Sequence, residues 1–166
     1  MGFTLMRLAP GDEAVFERIA PDVFDEPVHP ERMRIYLRTP GHLMVLALEE
    51  GVVVGQCAAV VHKHPDKTDE LYIDELGTAS THLRRGIATA MMTEMFAWGR
   101  ELGCEDAWLG TELDNLEAKA LYEKLKRGPG EKMIYYEFEL SDADPRRFQS
   151  GSSPAKRSVA GEGDRR

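Results

Sequence analysis

The chain has 166 residues, 42% of them hydrophobic and 30% charged, with a net charge of −8, which suits one globular domain with a full core. The acidic balance argues against general nucleic-acid binding, which rests on neutralising phosphates, and favours cationic partners. No apolar run approaches the roughly 20 residues of a membrane span, and Met1–Met6 lacks the basic and apolar regions of a secretory signal.

Phe3–Leu8 reads as a short strand and Gly11–Ala20 as a helix, with Val15, Phe16 and Ile19 at helical spacing. Pro21–Pro30 is a loop rich in Asp and Pro that holds Asp22, Asp25 and Glu26. Pro30 then sits at the first position of a helix reaching about Arg38. Leu43–Leu48 and Val52–Val61 are apolar runs around Glu49-Glu50-Gly51, a hairpin signal. His62–Asp69 is a polar loop, in which His62 and His64 lack a ligand set and read as solvated. The strand Glu70–Thr78 follows, then a helix over about Arg85–Leu102, with Ile87, Met91, Met95, Trp98 and Leu102 as its core stripe. Gly103 ends that helix, and Asp106–Thr111 forms another strand. Asp114 with Glu117 fits a capping pattern for a helix bearing Ala118, Leu121, Tyr122 and Leu125 on one face. Arg127–Gly130 breaks it, and Met133–Leu140 is a final strand.

The order β-α-α-β-β-β-α-β-α-β predicts an α/β fold: a mixed, mostly antiparallel sheet with helices on both faces. It occupies one domain over 1–141. Residues 142–166, with six Lys/Arg, four Asp/Glu and few apolar side chains, form a tail expected to be disordered. Cys57 and Cys104 stand far apart without metal-type neighbours, so neither a disulfide framework nor a metal site is expected, and the cytoplasm is the expected compartment.

The most informative stretch joins the strand at 70–78 to the helix after it. Leu83-Arg84-Arg85-Gly86-Ile87-Ala88-Thr89 opens the helix with two arginines and no acid beside them in the sequence. The first N–H groups of a helix have no internal partner and sit at the positive end of its dipole, which makes this turn a phosphate cradle. Asp74 and Glu75 lie just upstream, so anion binding and acid–base chemistry can share one cleft.

These residues carry a resemblance. Leu83–Ala88 is similar to the Arg/Gln-x-x-Gly-x-Gly/Ala signature of the GNAT acyl-CoA-dependent N-acetyltransferases, with Gly86 and Ala88 at matching places and Leu83 departing from Arg or Gln. Asn115–Leu125 resembles the family's Asn-x-x-Ala-x-x-Leu-Tyr-x-Lys segment, which usually continues Gly-Phe where this chain has Lys126-Arg127. Within the superfamily, Leu71–Leu76, His82 and Arg84–Ala90 look most like aminoglycoside 3-N-acetyltransferases.

The resemblance implies acetyl-CoA as co-substrate, no metal, and a cationic small-molecule amine as acceptor, with a homodimer left open. The cradle Leu83–Thr89 would take the pyrophosphate. The edge at Leu76, Gly77 and Thr78 would pair with the pantetheine arm, which Asn115 would also contact unless it only starts its helix. The family's base falls on Glu75, with Asp74 as the competitor; strand alternation sends the two to opposite faces, although a bulge of the kind common in the family would re-aim one. Tyr122 is the candidate general acid. Asp25, Glu26, Asp74, Glu112 and Asp114 are candidate contacts for a polycation, Asp114 doubling as a helix cap. The residues are compatible with three functions: aminoglycoside acetylation tied to antibiotic resistance, acetylation of another amine such as a peptide N-terminus, polyamine or metabolite, or non-catalytic acyl-CoA binding.

Overall fold

The computed structural model describes residues 2–138 and 140. They fall into two compact units, one up to Glu112 and one from Leu113 onward. In the first unit five strands form one sheet in the order β1 (Thr4–Arg7), β2 (His42–Glu49), β3 (Val52–His62), β4 (Glu70–Thr78) and β5 (Asp106–Trp108). All neighbours are antiparallel except β4 and β5. The β2–β3 turn forms at Glu50 and Gly51, both with positive φ (52° and 73°), which suits the twist of a tight hairpin.

Helix α2 (Ile87–Glu101) covers one sheet face, burying Ile87, Met91, Met92, Met95 and Gly99. A Cβ at Gly99 would lie 2.8 Å from Leu71 Cδ2, so the helix passes close over β4. The predicted stripe is therefore rotated: Met92 and Gly99 join the core, while Leu102 is exposed and Trp98 lies under the Arg7 guanidinium at 5.3 Å. The opposite face carries α1 (Pro30–Arg38) and a second apolar cluster built on Leu46, Val53, Ala58, Met33 and Leu37. Helices thus stand on both faces, as the sequence pattern implies. None of the described helices is long and apolar enough to cross a membrane.

Several boundaries differ from expectation. The segment read as a helix over Gly11–Ala20 forms only a 3₁₀ turn, Glu13–Glu17. Its front is diverted where the Asp12 carboxylate accepts the Ala9 N–H (2.8 Å), and its back is drawn to the sheet, where Ile19 bridges Val53 and the Ala20 N–H donates to Val53 O (2.8 Å). Strand β5 stops at Trp108, short of Thr111, since its pairing with β4 runs only from Glu70 to Tyr72. His62 and His64 are not free loop residues: the His62 ring stacks on Tyr72 and meets Trp108 and His64 edge-on.

The second unit holds α3 (Leu116–Lys126), ended by Arg127 in the left-handed conformation. Its cap is Asn115, whose Oδ1 accepts the Ala118 N–H at 3.1 Å, rather than Asp114. The expected strand Met133–Leu140 does not form among the described residues: 133–138 and 140 lie in no regular element, and Ile134, Tyr135 and Tyr136 are exposed. The predicted tail, 142–166, lies outside the described residues.

Candidate active site

Strand β4 carries a bulge at the acid pair. Glu75 stands opposite Ala58 and Ile73 opposite Ala59, leaving Asp74 as the extra, unpaired residue. The two carboxylates are therefore not split between faces: both line one pocket of about 220 Å³, with Glu26, His29, Tyr36 and Met44. A bulge inserts one residue and resets the alternation, which is why simple period-two reasoning fails here.

Glu75 is held by Gln56, whose Nε2–H donates to Oε2 at 3.0 Å. Burial of the carboxyl end raises its pKa first, the charges of Asp74 and Asp25 raise it further, and the Gln56 bond opposes them. Tyr36 closes the pocket from α1, its hydroxyl donating to Leu43 O at 2.8 Å. Burial, then Asp74 and Glu75, push that phenol well above its usual range. The pocket is thus negative and partly desolvated, and its Glu75 carboxyl holds a proton more readily than a free carboxylate.

Gln56 and Tyr36 are site residues that the sequence reading missed. Tyr36 gave no signal, but Gln56 did: it interrupts an otherwise apolar run, Val52–Val61. Of the predicted acceptor contacts, Asp25, Glu26 and Asp74 converge on Glu75. Glu112 is exposed at the end of the first unit, and Asp114 belongs to the second.

The stretch expected to cradle the pyrophosphate contains two left-handed residues, Arg84 (φ 59°) and Gly86 (φ 81°). They turn the chain sharply so that α2 begins at Ile87, later than the expected Arg85. The first helical bond is Ala90 N–H to Gly86 O at 3.0 Å, which leaves the N–H groups of Ile87, Ala88 and Thr89 without helical acceptors. A Cβ at Gly86 would meet nothing within 4 Å, so the space beside the turn is open at that residue.

The expectation of two arginines free of acids is corrected. Arg85 forms a forked pair with Glu49 at the end of β2, one arm at 3.0 Å, and His82 Nε2 lies 2.8 Å from the same carboxylate. These bonds, Arg85 first, pull the Glu49 carboxyl down to about 2. The pairing was hidden because Glu49 lies 36 residues from Arg85. Arg84 is exposed and has no partner among the described residues, as is Leu83, the departure from the signature.

Beside the cradle, β4 past Tyr72 has no strand on its β5 side among the described residues. The predicted edge Leu76, Gly77 and Thr78 lies in this stretch, paired on its other side with Cys57, Gln56 and Gly55 of β3. Gly77 is required there: an added Cβ would fall within 3.0 Å of Val23 O, in the loop that carries Asp25. Tyr122 is half-buried on α3 and Asn115 is committed to its cap; both belong to the second unit.

Residues 13–126 match the sequence profile of the acetyltransferase (GNAT) family. The chain belongs to this family.

Solved structures place this GNAT acetyltransferase near aminoglycoside acetyltransferases. HMB0005, an aminoglycoside acetyltransferase from an uncultured soil metagenomic sample, is 26% identical with a TM-score of 0.70, over 85% of this chain and 100% of that one. Meta-AAC0020, also from an uncultured soil metagenomic sample and solved with sisomicin, is 22% identical with a TM-score of 0.70, over 84% and 97%. AAC(6')-Iy, solved with the bisubstrate analogue CoA-S-monomethyl-acetylneamine, is 16% identical with a TM-score of 0.66, over 84% and 100%. At these identities the last two share the fold. No curated protein sequence matches the chain.

Proposed function

We propose that the protein is an acetyl-CoA-dependent N-acetyltransferase acting on an amine of a polycationic small molecule, with an aminoglycoside as acceptor, its 3-amino group as the site, and antibiotic resistance in the cytoplasm as the outcome. The observation that carries this reading is the bulge that aims Glu75 and Asp74 into one pocket with Glu26, beside an open β4 edge.

The residues present fit the co-substrate. The unclaimed N–H groups of Ile87, Ala88 and Thr89, with Arg84 beside them, suit a pyrophosphate, and Leu76, Gly77 and Thr78 suit a pantetheine arm. When bound, acetyl-CoA supplies an acetyl group activated as a thioester. The acids of the pocket draw a multiply charged amine out of solution and orient it. Glu75 takes one proton from the ammonium, the electron pair stays on nitrogen, and the neutral amine becomes a nucleophile. Its raised pKa narrows the gap to that of the ammonium. Tyr122 is the proposed proton donor to the departing sulfur, on the resemblance of its helix segment, and Asn115 is the weaker assignment because its side chain already caps α3.

Thiol release measured across a panel of aminoglycosides, polyamines and peptide amino termini tests the proposal. Turnover with aminoglycosides, mass spectra placing the acetyl group at the 3-amino position, and a 10²–10⁴-fold fall in rate for Glu75→Gln, roughly the worth of a general base, are the expected results. Turnover confined to polyamines or peptides overturns the acceptor. An unchanged rate in Glu75→Gln removes Glu75 as base.

A further inference from the structure

Gln56 is the one polar side chain that is fully buried among the described residues, at 2% exposure. It sits on β3, between β2 and β4, opposite Leu46 on one side and Gly77 on the other. A buried amide in an apolar strand is costly unless its hydrogen bonds are met. Here they are met only in part: one Nε2–H donates to Glu75 Oε2, while Oε1 has no partner among the described residues. A side chain that serves only the strand's stability would be apolar at this position, like Val54 and Ala58, which share its strand. What the amide does supply is a fixed donor to one oxygen of the carboxylate.

The groups facing Glu75 make that donor consequential. Asp74 adjoins it on its own strand, Asp25 and Glu26 come from the loop before α1, and His29, Arg32 and Tyr36 come from α1 or its cap. Three acids therefore surround the carboxylate, and Gln56 is its only hydrogen-bond donor among the described residues. We propose that Gln56 is a positioning residue: by occupying Glu75 Oε2 it leaves Oε1 as the oxygen that meets the amine, and it favours the ionised carboxylate against the acids around it. The inference rests on the reading of Glu75 as base. In the proton transfer, Glu75 Oε1 gains the proton that the ammonium loses, and the electron pair of the broken N–H bond stays on nitrogen. Gln56 continues to donate to Oε2, more weakly once the carboxyl is neutral.

The test is Gln56→Met, which keeps the length and removes the amide. The Glu75 carboxyl resonance, identified by its loss in Glu75→Gln, is titrated by NMR in the free protein. Its midpoint should rise by about one pH unit, the worth of one hydrogen bond to a charged group. The acid limb of kcat/KM should rise with it, while the KM for acetyl-CoA holds. In the Glu75→Gln background, Gln56→Met should cost nothing more in kcat. An unmoved midpoint in a folded Gln56→Met protein, or a full further loss in the double variant, overturns the proposal. Should Gln56→Met not fold, the side-chain amide resonances of Gln56 in the unaltered protein must titrate with the Glu75 midpoint, and their invariance overturns it. The NMR midpoint reads Glu75 without substrate, so an enzyme inactive on every amine would sink the function and the role of Oε1 with it, while the midpoint still decides whether Gln56 favours the ionised carboxylate.

Discussion

Gly77→Ala tests whether the loop before α1 is set by its approach to β4. At Gly77 the nearest neighbours of an added Cβ are backbone atoms: Val23 O within 3.0 Å and Val23 C at 3.2 Å, with Gln56 Nε2 next at 3.5 Å. No rotamer change relieves a clash with a carbonyl, so either β4 or the loop must move. Val23 is 2% exposed and packed in the cluster beneath α1, which resists that movement. Overpacking of this kind costs about 1–3 kcal/mol, and a backbone neighbour puts this case near the upper end. For a protein of this size that corresponds to a fall in Tm of roughly 6–12 °C. The displaced loop carries Asp25 and Glu26, so the KM for a polycationic amine should rise in the same variant. Thermal melting by circular dichroism, with steady-state kinetics in both substrates, reads both effects. A Gly77→Ala variant that melts within about 1 °C of the parent would refute the reasoning, since even the mildest overpacking should exceed that.

Asp74→Asn removes one of the charges that raise the Glu75 pKa, so the acid limb of the pH–rate profile should move to lower pH; an upward or absent shift in kcat/KM counts against the coupling. Arg84→Ala should raise the KM for acetyl-CoA ~3–10-fold, the net worth of one ordinary hydrogen bond because the site is exposed, and Arg85→Ala should do less, because Glu49 already holds Arg85. The Glu49 carboxyl is depressed from 4.5 to about 2 in the folded protein, so its contribution is complete above its ordinary value and disappears as pH falls through the depressed one. Melting temperatures of the parent should therefore converge on those of Glu49→Gln as pH is lowered through that window; a constant gap would contradict the clamp.

Much of the molecule was legible in the sequence because its signals are local. The hairpin at Glu49–Gly51, the Gly86 turn into α2, and Pro30 at the start of α1 each follow from conformational preferences of a few neighbouring residues. The proposed cradle is likewise one short stretch of residues, whereas the preference for Glu75 over Asp74 as base came from the family resemblance and not from residue type. Boundaries failed where a distant partner intervened. The segment at Gly11–Ala20 has helical spacing, yet Val53 claims its end, and the core stripe of α2 was turned by the close approach of Gly99 to Leu71.

The sequence by itself determined the fold class, the turn into α2 at Gly86 and the presence of two adjacent acids, because propensity and pattern act over a few residues. Only the tertiary structure decided that both acids face one pocket, through a bulge that pairing with β3 defines. It alone brought Gln56 to Glu75 across 19 residues and Glu49 to Arg85 across 36. Such pairings depend on strand register and on which faces meet, and no local signal encodes them.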